Sequence, residues 1–179
     1  KYDKKTPVET SSIYDLASVT KTSATTMMLM QLHEQGLLDL TKTVADYLPD
    51  TKGSNIAGLK LQDILTHQSG LPAWVPFYKK TLLADGTQDP GYYSQTKIAG
   101  YTTQVADNVY MRDDYRDTVW QIIKDINLKE KNKYVYSDLG LYISRRIAEQ
   151  LTGKRLDNYV YDNFYNSLGM TTTCFNPLN

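Results

Sequence analysis

The feature that most constrains this chain is a long, broadly apolar helical run that opens on Ser18-Val19-Thr20-Lys21 and stops at Gly36. Ala24, Met27, Met28, Met30 and Leu32 recur at helical spacing, and a glycine just past the last periodic residue is a common helix stop. A helix that is apolar on most sides has to lie centrally and be covered by other elements. Its methionines read as packing residues rather than a cofactor box. The same run carries chemistry. Residues three apart share a helical face, so Ser18 and Lys21 point into one space. A serine hydroxyl becomes a good nucleophile when a neighbouring base takes its proton, and a lysine held neutral can be that base. A helix start also presents free amides and a positive dipole end, which favour negative charge.

Bulk properties bound the rest. The 179 residues suffice for one domain with a real core, so 1–179 reads as a single unit. Lys+Arg and Asp+Glu number 20 each; that balance speaks against a nucleic-acid binder, which would carry a basic excess. No apolar run is long enough to cross a bilayer. The opening Lys1-Tyr2-Asp3-Lys4-Lys5 is not a signal peptide. Cys174 stands alone, so no internal disulfide forms, and it reads as a small buried apolar residue. His33 and His67 are far apart and give no metal-ligand spacing, so neither a metal nor a cofactor is expected.

The remaining chain is mainly helical. Short helices are expected over Thr41–Tyr47, ended by Leu48-Pro49, and over Leu61–His67, broken by Ser69-Gly70-Leu71-Pro72. Residues 73–110 carry scattered Gly, Pro and Tyr without periodicity and read as a long irregular excursion, of a length that is usually functional or mobile. Helical patterns resume over 112–126, Leu139–Leu151 and Leu156–Asn166. Only a few short extended pieces interrupt them.

Three segments then line up: Ser18-Val19-Thr20-Lys21; Leu65-Thr66-His67-Gln68-Ser69-Gly70-Leu71-Pro72; and Tyr136-Ser137-Asp138 followed by Leu139-Gly140. As an ordered set, with Gly36-Leu37-Leu38-Asp39-Leu40, Val44-Ala45-Asp46-Tyr47-Leu48-Pro49 and Leu168-Gly169-Met170 between and after them, they resemble the serine beta-lactamase and penicillin-binding-protein superfamily. The likeness is to its class C beta-lactamase-like branch of esterases and D-amino-acid peptidases, and it runs from Tyr14 to Pro177. The resemblance implies a mainly α chain forming the helical region of the α/β beta-lactamase/transpeptidase-like fold, with most of the antiparallel sheet missing. It implies that Ser18 accepts the acyl group, that Lys21 shares or removes its proton, and that Tyr136 acts with Lys21 as general base and later as general acid. A nearby ammonium favours the phenolate, which fits that role. His67 belongs to a structural turn in the matching motif, and His33 reads as a packing or surface residue.

The third position departs from the family pattern. Many relatives carry Tyr-x-Asn, whereas Asp138 cannot donate a hydrogen bond when ionised. A carboxylate there holds Lys21 protonated more strongly. The expectation shifts from beta-lactam hydrolysis toward an esterase or peptidase; Asp138 could equally cap the following helix. The family's Lys-Thr-Gly strand, which completes the oxyanion hole, has no match in this sequence. One such donor is worth about 3–4 kcal/mol in a comparable site. The chain is therefore expected to be the helical part of a longer polypeptide, impaired or inactive when isolated. Two functions remain open. One is a serine hydrolase that forms an acyl-enzyme on an ester, a D-amino-acid peptide or a beta-lactam. The other is a non-catalytic sensor or accessory domain of a larger cell-wall or glycan enzyme. The resemblance implies a periplasmic or extracytoplasmic location.

Overall fold

The computed structural model describes Lys5 and residues 7–176. The opening Lys1-Tyr2-Asp3-Lys4 and Pro177, where the resemblance ends, lie outside the described residues. The expected long helix forms, but not as one uniform α-helix. A 3-10 turn, Ala17–Val19, leads into a π-helical turn, Lys21–Thr26, and then α1, Met27–Glu34. The local cause is Lys21-Thr22-Ser23-Ala24-Thr25-Thr26. The Thr22 and Ser23 hydroxyls both donate to the Val19 carbonyl, at 2.9 and 3.0 Å, and Thr26 Oγ1 donates to the Lys21 carbonyl at 2.8 Å. Side-chain back-bonding of this kind competes with the regular helical ladder, and π turns often mark functional sites. Gly36, with φ +72°, ends the run as expected.

Short helices follow: α2, Val44–Tyr47, and α3, Leu61–Leu65. Thr43 and Asp46 form a capping box on α2, which explains how a four-residue helix persists. After the excursion come α4, Tyr115–Lys124, α5, Leu139–Thr152, and α6, Leu156–Val160, which runs into a π turn, Tyr161–Tyr165. The central element is α5. Its Leu139, Ile143 and Ile147 are fully buried against Met28 and Leu32 of α1, Val44 of α2, Ile64 of α3 and Val160 of α6. Gly140 allows α5 to approach α3 closely, since a Cβ there would lie 2.9 Å from Ile64 Cγ2. The helix through Ser18 is not covered all round: Val19 and Met30 are exposed, as are Ile13, Tyr14 and Leu16 before it.

The chain is mainly helical, as expected, but the excursion is not wholly irregular. It holds an antiparallel sheet of β1, Tyr93–Ser94, β2, Thr103–Ala106, and β3, Val109–Met111, in the order β1-β3-β2. Tyr93 faces Met111, Thr103 faces the same Met111, and a register shift falls between Gln104 and Ala106. The hairpin turns through Asp107-Asn108, with Asn108 at φ +50°, a conformation asparagine tolerates. Strands of two to four residues leave too short an alternation to read. Cys174 is exposed rather than buried, because the segment that carries it runs along the surface.

Two distant loops are laced together beside α5. The end of α3 is a Schellman turn: Gln68 N–H donates to the Asp63 carbonyl at 2.7 Å and His67 N–H to Ile64 at 3.1 Å, with His67 in the left-handed region at φ +59°. Across from it, Lys129 N–H donates to Gly70 O (2.7 Å), Asn132 to Gln68 (2.9 Å), Val135 to His67 (2.9 Å) and Asp138 to Ala73 (2.8 Å). Ser137 adds two bonds, its N–H to His67 Nδ1 at 3.1 Å and its hydroxyl to the Pro72 carbonyl at 2.6 Å. Gly70 sits at φ +84°, and a Cβ on it would lie 2.6 Å from the Lys129 carbonyl oxygen.

Two outcomes follow from this lacing. Gly70→Ala is expected to cost at least about 2 kcal/mol, since left-handed strain and a backbone clash act together; the midpoint of urea unfolding reads it. His67 must be neutral to accept from Ser137, and burial, followed by the charge of Lys21, holds its pKa below the ordinary 6.5 although Asp138 pulls the other way. The unfolded chain therefore binds this proton at a higher pH than the folded one. Stability present above pH 6.5 is lost as pH falls from there toward the lower folded value. His67→Asn, which tolerates the left-handed backbone, is expected to flatten that part of the stability–pH curve.

Candidate active site

Each of the four residues singled out in the sequence reaches its place by a different local device. Ser18 lies in the 3-10 turn that opens the helical run, immediately after Ala17, a non-glycine residue at φ +42°. Asp15 Oδ1 accepts the Ala17 N–H at 2.8 Å and closes this turn. Sparsely populated backbone of this kind costs of order 1–3 kcal/mol and persists only where surroundings over-determine it. Lys21 lies one turn on, at the start of the π-helical segment. Tyr136 and Asp138 are delivered by the laced loop 129–138, whose hydrogen bonds to residues 67–73 fix its path. Asp138 also stands at the N-terminal end of α5, but no side-chain capping bond forms there. The capping role considered for Asp138 is therefore not the one its carboxylate takes.

The carboxylate turns instead to the lysine. Lys21 Nζ lies 2.7 Å from Asp138 Oδ1 and 2.8 Å from Ser18 Oγ. It also stands 5.2 Å from the centroid of the Tyr136 ring. Ser18, Lys21, Tyr136 and Asp138 thus form one cluster. The two histidines are placed differently. His67 packs its ring 4.8 Å from that of Tyr136 and spends Nδ1 on the Ser137 amide. His33 Nδ1 bonds the Leu38 carbonyl at 2.7 Å, at the far end of α1.

The charges are ordered. Burial works against the ammonium of Lys21, but the hydrogen bonds and negative charge of Asp138 and Tyr136 outweigh it and raise its pKa above the ordinary 10.5. Tyr136 moves the other way: hydrogen bonding with Ser18 and then Lys21 lowers its pKa below the ordinary 10, against desolvation and the charge of Asp138. A neutral Lys21 base, which the Ser-x-x-Lys spacing alone allowed, does not match this electrostatic setting. The group whose basic form is favoured beside Ser18 is the phenol. Ser18 and Tyr136 are both exposed to solvent, so an acyl compound can reach them. Among the described residues, no group of three or more His, Cys, Asp or Glu could hold a metal ion, and no helix is long and apolar enough to cross a membrane.

Sequence reading passed over the residues that hold this cluster in place. Ala17 carries no signal of its strained backbone. The two bonds of Ser137 are hidden inside Tyr136-Ser137-Asp138, where only the flanking residues suggested chemistry. Gly70 was legible as a helix breaker, but not as the point where the Lys129 carbonyl approaches.

Known proteins share this arrangement of sequence. The whole chain, residues 1–179, matches the family described as Beta-lactamase. It is similar to an N-acetylmuramyl-L-alanine amidase of Bacillus subtilis (strain 168), 34% identical over 179 residues, covering 96% of this chain and 35% of that protein. Its fold is similar to that of a class C beta lactamase from Rhodobacter sphaeroides, with a TM-score of 0.58 at 23% identity, over 93% of this chain and 38% of the other. A beta-lactamase/D-alanine carboxypeptidase from Pseudomonas syringae superposes with a TM-score of 0.60 at 16% identity, over 94% and 38%. The chain spans about 35% of the length of the curated relatives it matches. A match along its full length, together with an ordered serine, lysine and tyrosine cluster on the shared helical scaffold, means that this chain belongs to the beta-lactamase family.

Proposed function

We propose that the whole protein is a serine hydrolase working through an acyl-enzyme on Ser18, with esters or D-amino-acid peptides preferred over beta-lactams. One observation carries the reading: Lys21 Nζ bridges Ser18 Oγ and Asp138 Oδ1 at 2.8 and 2.7 Å beside a Tyr136 whose phenolate is favoured. In the proposed reaction Ser18 Oγ attacks the acyl carbon while its proton passes to the Tyr136 oxygen. Lys21 stays charged and stabilises the phenolate and then the developing oxyanion's surroundings. Tyr136 returns the proton to the leaving group, and water reverses the sequence to release the acid. The similarity to a protein named N-acetylmuramyl-L-alanine amidase supports an amide substrate. Asp138 supports the order of preference, since a carboxylate cannot donate to an acyl side chain as an amide can. An extracytoplasmic site of action belongs to the same proposal; fractionation of cells that express the parent protein checks it.

Covalent labelling is the direct test. Incubation of the parent protein with a fluorophosphonate or a penicillin probe is expected to add one adduct mass on the peptide containing Ser18, absent in Ser18→Ala. No adduct under any condition overturns the proposal. Labelling without turnover of esters, D-alanyl peptides or beta-lactams favours the sensor alternative, which the charge-locking contact of Asp138 on Lys21 motivates.

The pH profile follows from the two shifts. Acylation is expected to rise as Tyr136 ionises below the ordinary phenol value of 10 and to fall only as Lys21 loses its proton above the ordinary 10.5. Asp138→Asn removes a negative neighbour from both groups, so both limbs are expected to move to lower pH. Tyr136→Phe is expected to lose about 10²–10⁴ in kcat/KM, the usual worth of a positioned general base. A Tyr136→Phe rate within threefold of the parent's, read in a stopped-flow acylation assay, counts against the assignment.

A further inference from the structure

The second cluster of interest lies between α4, α5 and the 3-10 turn Phe77–Thr81, outside the Ser18 site. These elements line an open cleft of about 450 Å3, within the range of small-molecule sites. Helical spacing builds its walls. Arg116, Val119, Trp120 and Ile123 share one face of α4, and Tyr142, Arg145, Arg146 and Glu149 share one face of α5. The end toward Phe77 is braced by an edge-on contact of Phe77 with Tyr142, centroids 6.2 Å apart, and by the Tyr115 hydroxyl donating to the Phe77 carbonyl at 2.5 Å.

Several polar groups on these walls are already committed. The Trp120 indole N–H donates to Asp50 Oδ2 at 2.8 Å. The Arg146 guanidinium lies 4.4 Å from the Trp120 ring and reaches Asp50 at 4.0 Å. Arg145 Nε donates to Glu149 Oε1 at 3.0 Å, and that oxygen also accepts the Leu156 N–H at 2.9 Å. Arg116 lines the cavity and makes no ion pair or hydrogen bond among the described residues, and the Tyr78 and Tyr142 hydroxyls make no hydrogen bond there either. What remains is an apolar and aromatic slot with one uncommitted cation on its wall. From Arg116 to Ile123 that wall runs two helical turns, roughly 10 Å.

We propose that this cavity is a binding site for an amphiphilic monoanion, an alkyl or aryl carboxylate of medium length. Its apolar body lies along Val119, Trp120 and Tyr142, and its carboxylate meets the Arg116 guanidinium, whose planar fork suits two oxygens. A neutral ligand of the same shape gains the apolar contact but leaves Arg116 unpaired. The site goes beyond the acyl-enzyme reading and shares none of Ser18, Lys21, Tyr136 or Asp138 with it.

The test titrates the protein with octanoate and, separately, with octanamide, following indole emission in a Trp74→Phe background so that Trp120 is the reporter. Octanoate is expected to give a saturable change and to bind about two- to fivefold more tightly than octanamide, the scale of one exposed ion pair. Arg116→Gln is expected to bring octanoate down to the affinity of octanamide and leave octanamide unchanged; Arg116 is exposed, so the fold is retained, and far-UV circular dichroism checks that. Equal affinities of the two probes, no effect of Arg116→Gln, or no saturable change overturns the proposal. Ser18→Ala is expected to bind octanoate as the parent does. Octanoate binding that persists in a protein whose Ser18 never labels would sink the hydrolase reading and leave this site standing.

Discussion

The arrangement depends on the seam between residues 67–73 and 129–138. Neither segment is regular secondary structure, so their backbone polar groups have no ladder of their own and must find partners. They find each other, through the amides of Lys129, Asn132, Val135 and Asp138 and through both polar atoms of Ser137. The seam permits no slack at Gly70, where a carbonyl takes the space of a Cβ. It also selects the neutral form of His67, since a protonated ring cannot accept the Ser137 amide. The loop that carries Tyr136 is thereby tied at several positions to the segment that follows α3.

The Asp138–Lys21 pair gives the cluster its particular character. A lysine between a serine and an amide can exchange its proton with little electrostatic penalty. A lysine 2.7 Å from a carboxylate holds its proton, and the phenol beside it becomes the easier group to ionise. The carboxylate in the third position of Tyr136-Ser137-Asp138 thus favours the ammonium form of Lys21. Both ions keep part of their exposure to water, 19% for Lys21 and 43% for the Asp138 side chain. The pair therefore acts by ordering charge, and screening limits what it adds to stability.

The helical scaffold serves this cluster by close packing around α5. Leu139, Ile143 and Ile147 form one fully buried stripe of the core, and the absence of a side chain at Gly140 lets α3 come close enough to bring its Schellman turn to the N-terminal end of α5. The Ser/Thr-rich start of the first helix relaxes into a π turn at Lys21–Thr26. A fully regular helix would carry the lysine on a different bearing.

Much of this was legible in the sequence. Apolar spacing marked α4, α5 and the helix after Ser18, because burial of one face writes a period into the residues. Gly36 marked a helix stop, and the serine, lysine and tyrosine were visible through their motif order. The sheet β1-β3-β2 was not, since its strands are shorter than the period-2 pattern needs, and neither was the exposure of Cys174, which depends on what runs beside it. Ala17 and Ser137 carry no local signal at all. Sequence by itself determined which residues were available for chemistry and which faces of the helices had to be buried, since these follow from residue type and spacing. Only the tertiary structure decided the partner of Asp138 and the neutrality of His67. Each of those is an interaction across tens of residues, whose sign turns on separations of a few ångströms that no local pattern encodes.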